Sequence, residues 1–205
     1  RLPGTRGIAH TRWATHGGVT QNNAHPFVVN NSDNSLTLVH NGIIENYLEL
    51  KEKLRQDGVT FSSDTDSEVI LHLIAKWHDG DLLAAVQEAV KHLHGAYAFA
   101  VMDQNKEEII GARNGCPLLI GLGKEENFLA SDVSAFIEHT KRVIYLNDFE
   151  PARITRAAAT IYSFEGKELA SPIKEVQWNL EQAQKQGYKH FMLKEIMEQP
   201  TTIEE

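Results

Sequence analysis

Three short segments carry side chains whose types and spacing suit chemistry: His10-Thr11-Arg12-Trp13-Ala14-Thr15-His16-Gly17, then Asn22-Asn23-Ala24-His25-Pro26, then His40-Asn41-Gly42. Four of the ten histidines fall within the first 40 residues, so a metal site is the first chemistry to weigh. The intervals between them are 6, 9 and 15 residues (16 − 10, 25 − 16, 40 − 25), and none of these places two ligands on one helical face. No cysteine or HExxH pattern accompanies them, so they are expected to be loop and core histidines with hydrogen-bonded nitrogens, and no metal is expected. Cys116 is the single cysteine. It lies in Asn114-Gly115-Cys116-Pro117 between two strand-like runs, where the following proline favours extended backbone, and no neighbour that would activate a thiol is evident.

These segments must be held by secondary structure, and the hydrophobic pattern indicates which. Gly7 to Trp13 alternates Ile8, His10, Arg12 with Ala9, Thr11, Trp13, which predicts a short strand. Thr15 to Pro26, rich in Gly, Asn and Thr, predicts a loop. Leu36 to His40 reads as a strand stopping at Asn41-Gly42, a pair able to turn sharply. Ile43, Tyr47, Leu50 and Leu54 share one helical face until Asp57-Gly58. Thr65 and Glu68 have the spacing of a capping box ahead of Val69, Ile70, Leu73, Ile74 and Trp77, and a third helix spans Asp81 to Leu93.

After Gly95 the pattern changes to short β-rich runs at Tyr97 to Met102, Glu108 to Arg113, Leu118 to Leu122 and Phe128 to Ala130, spaced so closely that an antiparallel meander is expected. A short helix over Val133 to His139 and strands over Val143 to Leu146, Ala152 to Thr155 and Thr160 to Phe164 complete the pattern. The segment from Trp178 to Glu198 is polar and Gln-rich, and is expected to wrap the surface or lead to a further part. Early helices followed by many antiparallel strands predict an α+β layered fold.

Composition removes several classes of function. The 205 residues can bury one sizeable core, and 41% hydrophobic with 23% charged residues argues against disorder. Twenty basic against 28 acidic side chains give −8, a field that repels polyanions, so nucleic acid is not an expected partner. The longest uninterrupted apolar run, Ala96 to Met102, is too short to span a bilayer, and a lone cysteine makes no internal disulfide; a soluble cytoplasmic chain is expected. The chain opens on Arg1 without an initiator Met, and both of its ends look cut.

The strings GIAHTRWATHG, NAHP, VHNGIIENY, SDTDSEVI, HGAYAFAVMD and FLASD occur in this order between Gly7 and Asp132. Together they resemble the glutaminase domain of the glucosamine-6-phosphate synthase family, the isomerizing glutamine–fructose-6-phosphate aminotransferases, and the later KEIMEQP resembles the exit toward that family's sugar-phosphate isomerase half. Amidophosphoribosyltransferase and asparagine synthetase share the fold, but TRWATHG fits them less well. The resemblance implies an N-terminal-nucleophile hydrolase fold of αββα layers. It also implies a glutamine amidotransferase domain over 1–178 and a polar tail over 179–205 leading toward the isomerase half.

The implied reaction moves the amide nitrogen of L-glutamine to fructose 6-phosphate, giving glucosamine 6-phosphate and glutamate, with no metal or organic cofactor. In such enzymes an N-terminal cysteine attacks the amide while its own α-amine, titrating at ~7.7–8.0, handles the proton. This chain begins with Arg1 and has no residue in that role, so alone it is expected to bind glutamine weakly and hydrolyse none.

The resemblance assigns the remaining parts by position. Asn41 and Gly42 correspond to the oxyanion hole, with an ordinary Asn-Gly turn as the alternative. Arg12 corresponds to the clamp on the substrate α-carboxylate and Asp66 to the partner of its α-ammonium group, with helix capping as the alternative for Asp66. Trp13 to Gly17 would close over glutamine, Thr15 and His16 lining the site and Trp13 marking the ammonia route, with core filling as the alternative for Trp13. His25 would lie near the bound amide, while His10, His40 and Asp132 would support strands. The full-length protein would be a homodimer. The rival reading is a non-catalytic glutamine-binding regulatory module that keeps Arg12 and Asp66.

Overall fold

A computed structural model describes residues 4–30, 35–177 and 188–204. Strands β1 (Phe27–Asn30), β2 (Ser35–Ile44), β3 (Gly95–Asp103), β4 (Ile109–Asn114), β8 (Ala152–Ile154), β9 (Ala159–Tyr162) and β10 (Glu168–Leu169) form one antiparallel sheet in the order β1-β2-β3-β4-β8-β9-β10. Strands β5 (Leu119–Leu122), β6 (Asn127–Ala130), β7 (Arg142–Tyr145) and β11 (Lys174–Glu175) form a smaller antiparallel sheet in the order β11-β7-β5-β6.

Helices α1 (Tyr47–Gln56), α2 (Ser67–Trp77) and α3 (Leu82–Val90) cover the outer face of the large sheet. Leu36, Leu38 and Ile44 of β2 and Tyr97, Phe99 and Val101 of β3 point at them, meeting Ile70, Leu71 and Ile74 of α2. Those three α2 side chains are fully buried, and each such burial contributes ~1.5–3 kcal/mol. The opposite face of the large sheet offers Ala98, Ala152, Ile154 and Ile161 to Ile120, Ile144 and Leu146 of the small sheet or its flank. Beyond the small sheet, the helical turns after Asp132 press Val133, Phe136 and Ile137 onto Leu119 and Val143, closing an αββα arrangement.

Several local expectations shift. Gly7 to Trp13 forms no strand: alternation assigns two faces, but a strand also needs a ladder partner, and none is found among the described residues. Instead Gly7, Ile8 and Ala9 lie beside Val39 and Ala100 and near Phe128, at the opening between the sheets. Asn41-Gly42 does not end β2; the strand runs on to Ile44, with Asn41 opposite Ala98 and Gly42 opposite Tyr97. The first helix accordingly begins at Tyr47 rather than Ile43, which stays in β2. The expected helix at Val133 to His139 is a 3-10 turn over Val133–Ala135, because Phe136 leaves helical geometry at φ −139° and lays its ring over Gly121.

The meander is broken between β4 and β5, which belong to different sheets, and β1, β10 and β11 were not expected. The expected boundary at 178/179 and the first part of the tail lie outside the described residues. The end of the tail is a helix, α4 (Phe191–Glu204), with Phe191, Met192, Ile196 and Met197 exposed, so it is less polar than its Gln-rich start.

Candidate active site

A cavity of about 230 Å³ opens where the Thr11–His16 segment, the end of β2 and the start of α2 converge. Arg12, Trp13, Thr15, His16, His25, Asn41, Gly42 and Asp66 all line it. Its size falls below the ~300–1,000 Å³ of sites for drug-sized ligands, which suits a ligand as small as a free amino acid. Asp132 is elsewhere, its carboxylate accepting from the Ser134 amide at 2.8 Å to start the 3-10 turn. Cys116 does not line the cavity; it packs between the sheets, where burial pushes its thiol pKa up.

Gly42 explains why β2 can pass through an Asn-Gly pair without turning. Its φ is +127°, and a Cβ there would lie 2.1 Å from the Ala96 carbonyl oxygen and 2.8 Å from the Tyr97 Cα. Only glycine permits both the dihedral and this approach of β3. The strand thereby carries Asn41 and Gly42 to the cavity wall.

Asp66 ties α2 to the same strand. Its Oδ2 accepts the Ile44 amide at 2.8 Å, and the residue is 3% exposed. Its backbone is already helical and its side chain does not cap α2, which overturns the capping alternative. The capping-box expectation for Thr65 and Glu68 also changes. The Glu68 carboxylate reaches back past Thr65 to the amides of Ser62 (2.8 Å) and Ser63 (2.7 Å) and to both of their hydroxyls. Burial alone would raise its pKa, but these bonds and a contact from His72 outweigh burial and hold it down at about 2. The loop before α2 is thus clasped by an ionised carboxylate.

The loop after Trp13 is built in a similar way. The Arg12 guanidinium donates to the carbonyls of His16, Gly17 (3.0 Å) and Gly18 (3.1 Å), bending the chain around its own side chain. Asn23 holds the loop's far end, donating to Gly18 O at 3.0 Å and accepting from Asp64 N at 3.0 Å. Trp13 is 90% exposed, so core filling is not its role. His16 stands edge-on to Tyr47, with Nδ1 4.0 Å from Asp66 Oδ2.

His10, His25 and His40 crowd the deeper wall. His10 meets the His25 ring edge-on at 4.6 Å. Burial, aided by the nearby His10, His40 and Arg12, lowers the His25 pKa to about 3; burial, then His10, does the same for His40. Burial also lowers that of His10. The wall therefore offers neutral imidazoles at neutral pH. Among the described residues, no group of three or more His, Cys, Asp or Glu is arranged to hold a metal ion.

Sequence reasoning did not give site roles to Thr11, Thr65 or Ser67, which also line the cavity, and it left His10 and His40 as strand supports. For Ser67 the available signal was a hydroxyl in the first turn of a helix beside Asp66, and that pattern does not show which histidines it would meet.

Residues 10–138 match the glutamine amidotransferase domain family. The chain belongs to that family. This amidotransferase domain is 53% identical over 198 residues to the glutamine–fructose-6-phosphate aminotransferase (isomerizing) of Aquifex aeolicus, covering 96% of the chain and 33% of that protein. It is 51% identical over 203 residues to the Thermus thermophilus protein of the same name, covering 99% and 33% respectively. The chain thus spans about a third of the length of these relatives.

Among solved structures, the domain resembles a glutamine phosphoribosylpyrophosphate amidotransferase from B. subtilis complexed with ADP and GMP. The TM-score is 0.66 at 29% identity, over 76% of this chain and 34% of that one. A structure described as the allosteric regulatory enzyme of purine biosynthesis gives 0.65 at 32% identity, over 76% and 34%. These likenesses agree with the αββα layers seen here. Among the described residues, no helix is long and apolar enough to cross a membrane.

Proposed function

We propose that this domain is the glutamine-hydrolysing part of a synthase that passes the amide nitrogen of L-glutamine to fructose 6-phosphate. The observation that carries this reading is the placement of Arg12, Asp66, Asn41 and Gly42 on one amino-acid-sized cavity, within a family whose relatives carry that synthase's name. Arg12 takes the substrate α-carboxylate. Its guanidinium gives Nη1 to Gly18 O and Nη2 to both His16 O and Gly17 O, so a two-pronged grip on a carboxylate takes Nη2 from those loop carbonyls. Asp66 takes the α-ammonium group. Thr15 and His16 line the closing loop, Trp13 stands at the mouth where ammonia would leave, and His25 lies near the amide.

In the reaction that the resemblance implies the nucleophile is an N-terminal cysteine, and the lone cysteine of these 205 residues, Cys116, does not line the cavity. A thiolate adds to the amide carbon, and the Asn41 amide and Gly42 N–H hold the oxygen that becomes negative. The carbon–nitrogen bond breaks as ammonia leaves, and water then releases glutamate from the thioester. One oxyanion donor is worth ~3–4 kcal/mol of barrier. The helix α4 leads toward the isomerase part that carries the sugar site, the whole protein acts as a homodimer, and its compartment is the cytoplasm.

Calorimetric titration with L-glutamine tests the reading. Binding is expected for the chain as it stands, with loss in Arg12→Ala and no binding of a peptide carrying glutamine internally. Hydrolysis is expected when the chain is expressed behind an N-terminal cysteine segment. Binding without hydrolysis in that form favours the regulatory module, and no binding in either form removes both readings.

A further inference from the structure

Ser67 opens helix α2 and is 3% exposed. Its Oγ lies 2.9 Å from His40 Nδ1 on β2 and 3.2 Å from His25 Nε2, just ahead of β1. These are the two partners of the hydroxyl among the described residues. The edges of His10 and Phe27 flank the His25 ring at 4.6 and 4.8 Å, so that ring is held in place by packing as well.

A hydroxyl has one hydrogen and gives it to one ring at a time. Suppose it donates to His40 Nδ1. His40 then carries its proton on Nε2, and the second bond survives only if His25 donates from its own Nε2. Suppose instead that it donates to His25 Nε2. His25 then carries its proton on Nδ1, and His40 must donate from Nδ1. Both bonds exist together only when the rings share a tautomer, both Nε2–H or both Nδ1–H. A mixed pair either sets two lone pairs against each other or strands the hydroxyl hydrogen in a buried place.

The outer nitrogens give this a consequence. His25 Nδ1 and His40 Nε2 are buried without a hydrogen-bond partner among the described residues, and both histidines line the cavity. In either setting one outer nitrogen carries a proton and the other is bare. We propose that Ser67 is a positioning residue of this cavity, locking His25 and His40 into a common tautomer so that a proton taken up at one outer nitrogen is released at the other. The transfer balances: a proton arrives at His25 Nδ1, His25 passes its Nε2 proton to Ser67 Oγ, Ser67 passes its own to His40 Nδ1, and His40 releases the Nε2 proton. The lock needs neutral rings, which burial supplies at neutral pH. His10 and Arg12 are the ionisable neighbours that reinforce neutrality in His25, and His10 does so for His40. What the relayed proton belongs to rests on the glutaminase reading; the lock does not.

The test is long-range proton–nitrogen correlation NMR at pH 7 on the chain labelled with nitrogen-15 in histidine, which separates protonated from bare ring nitrogens. The unmodified chain and Ser67→Thr should each show His25 and His40 neutral and in the same tautomer. Ser67→Ala should uncouple them, moving one or both rings to averaged positions between the two forms. Opposite tautomers in the unmodified chain overturn the proposal, as does a folded Ser67→Ala chain with both rings unchanged. If Ser67→Ala does not fold, the unmodified chain and Ser67→Thr still decide. Adding L-glutamine should shift the signals of an outer nitrogen; a shared tautomer without any glutamine response upholds the lock and sinks the glutaminase reading.

Discussion

Gly42→Ala separates backbone strain from backbone collision, because the same protein contains a glycine with the first and not the second. At Gly58 φ is +90°, and an added Cβ would meet nothing within 4 Å. At Gly42 φ is +127°, and the Cβ would sit 2.1 Å from Ala96 O, 2.8 Å from Tyr97 Cα and 2.9 Å from Ala96 C. All three atoms are backbone, in β3, which is paired with β2 at Ala96 and Tyr97 and with β4 from Ala98 onward. They cannot rotate away as a side chain would. Gly58→Ala should therefore cost the conformational term alone, ~1 kcal/mol. Gly42→Ala adds the displacement of β3, for which overpacking costs of ~1–3 kcal/mol are the guide, giving about 3 kcal/mol in all. Equilibrium urea unfolding reads both. With a slope of ~2 kcal/mol/M, the Gly42→Ala midpoint should fall roughly 1 M further than that of Gly58→Ala. Equal midpoints for the two variants would show that β3 yields freely, and would refute the account of why β2 runs straight through Asn41-Gly42.

Glu68 makes stability depend on acid. Its carboxyl titrates at about 2 in the folded chain against 4.5 ordinarily, so its contribution is present above pH 4.5 and is lost as pH falls toward 2. The full contribution is on the order of 3 kcal/mol, and Glu68→Gln should flatten the difference in urea midpoint between pH 5.5 and pH 3; parallel curves for the two proteins would contradict this. Asp66→Ala strands the buried Ile44 amide and should cost ~1–3 kcal/mol, while Asp66→Asn keeps an acceptor and should cost less. Both should weaken glutamine binding in calorimetry, and an Asp66→Asn chain that binds as well as the parent would remove the ammonium role. Trp13→Ala should leave the unfolding free energy within ~0.5 kcal/mol of the parent because the side chain is 90% exposed, yet slow glutamine hydrolysis in the form carrying the N-terminal cysteine. A large stability loss would place Trp13 in a packed setting instead.

Features decided by near neighbours in the chain were legible in the sequence. The start of α3 at Asp81, whose side chain accepts from the Leu83 and Ala84 amides, and the buried stripe of α3 depend on residues two to four apart. Features decided by a distant partner were not. Asn41-Gly42 has the composition of a tight turn, and the backbone of Ala96 and Tyr97 makes it strand instead. Gly7 to Trp13 has the alternation of a strand, and no ladder partner is present among the described residues to make it one. The candidate site divides in the same way. Arg12, Asp66, Asn41 and Gly42 were placed by resemblance, whereas the bonds that hold them are long-range or turn inward: Asp66 to Ile44, 22 residues back, and Arg12 to its own loop.

That division has a mechanical consequence. Asn41 and Gly42 ride on β2, and Asp66 is bonded to the amide of Ile44 two residues beyond Gly42. The groups proposed for the oxyanion and for the α-ammonium therefore share one short rigid path through Ile44, while Arg12 is fixed separately through its own loop and Asn23. A ligand that draws Arg12 away from the carbonyls of His16 to Gly18 reshapes that loop and leaves the distance between Asp66 and Asn41 intact. On the roles proposed for these residues, recognition at the carboxylate end would be coupled to this loop, and the amide end would be read by a wall that is already built.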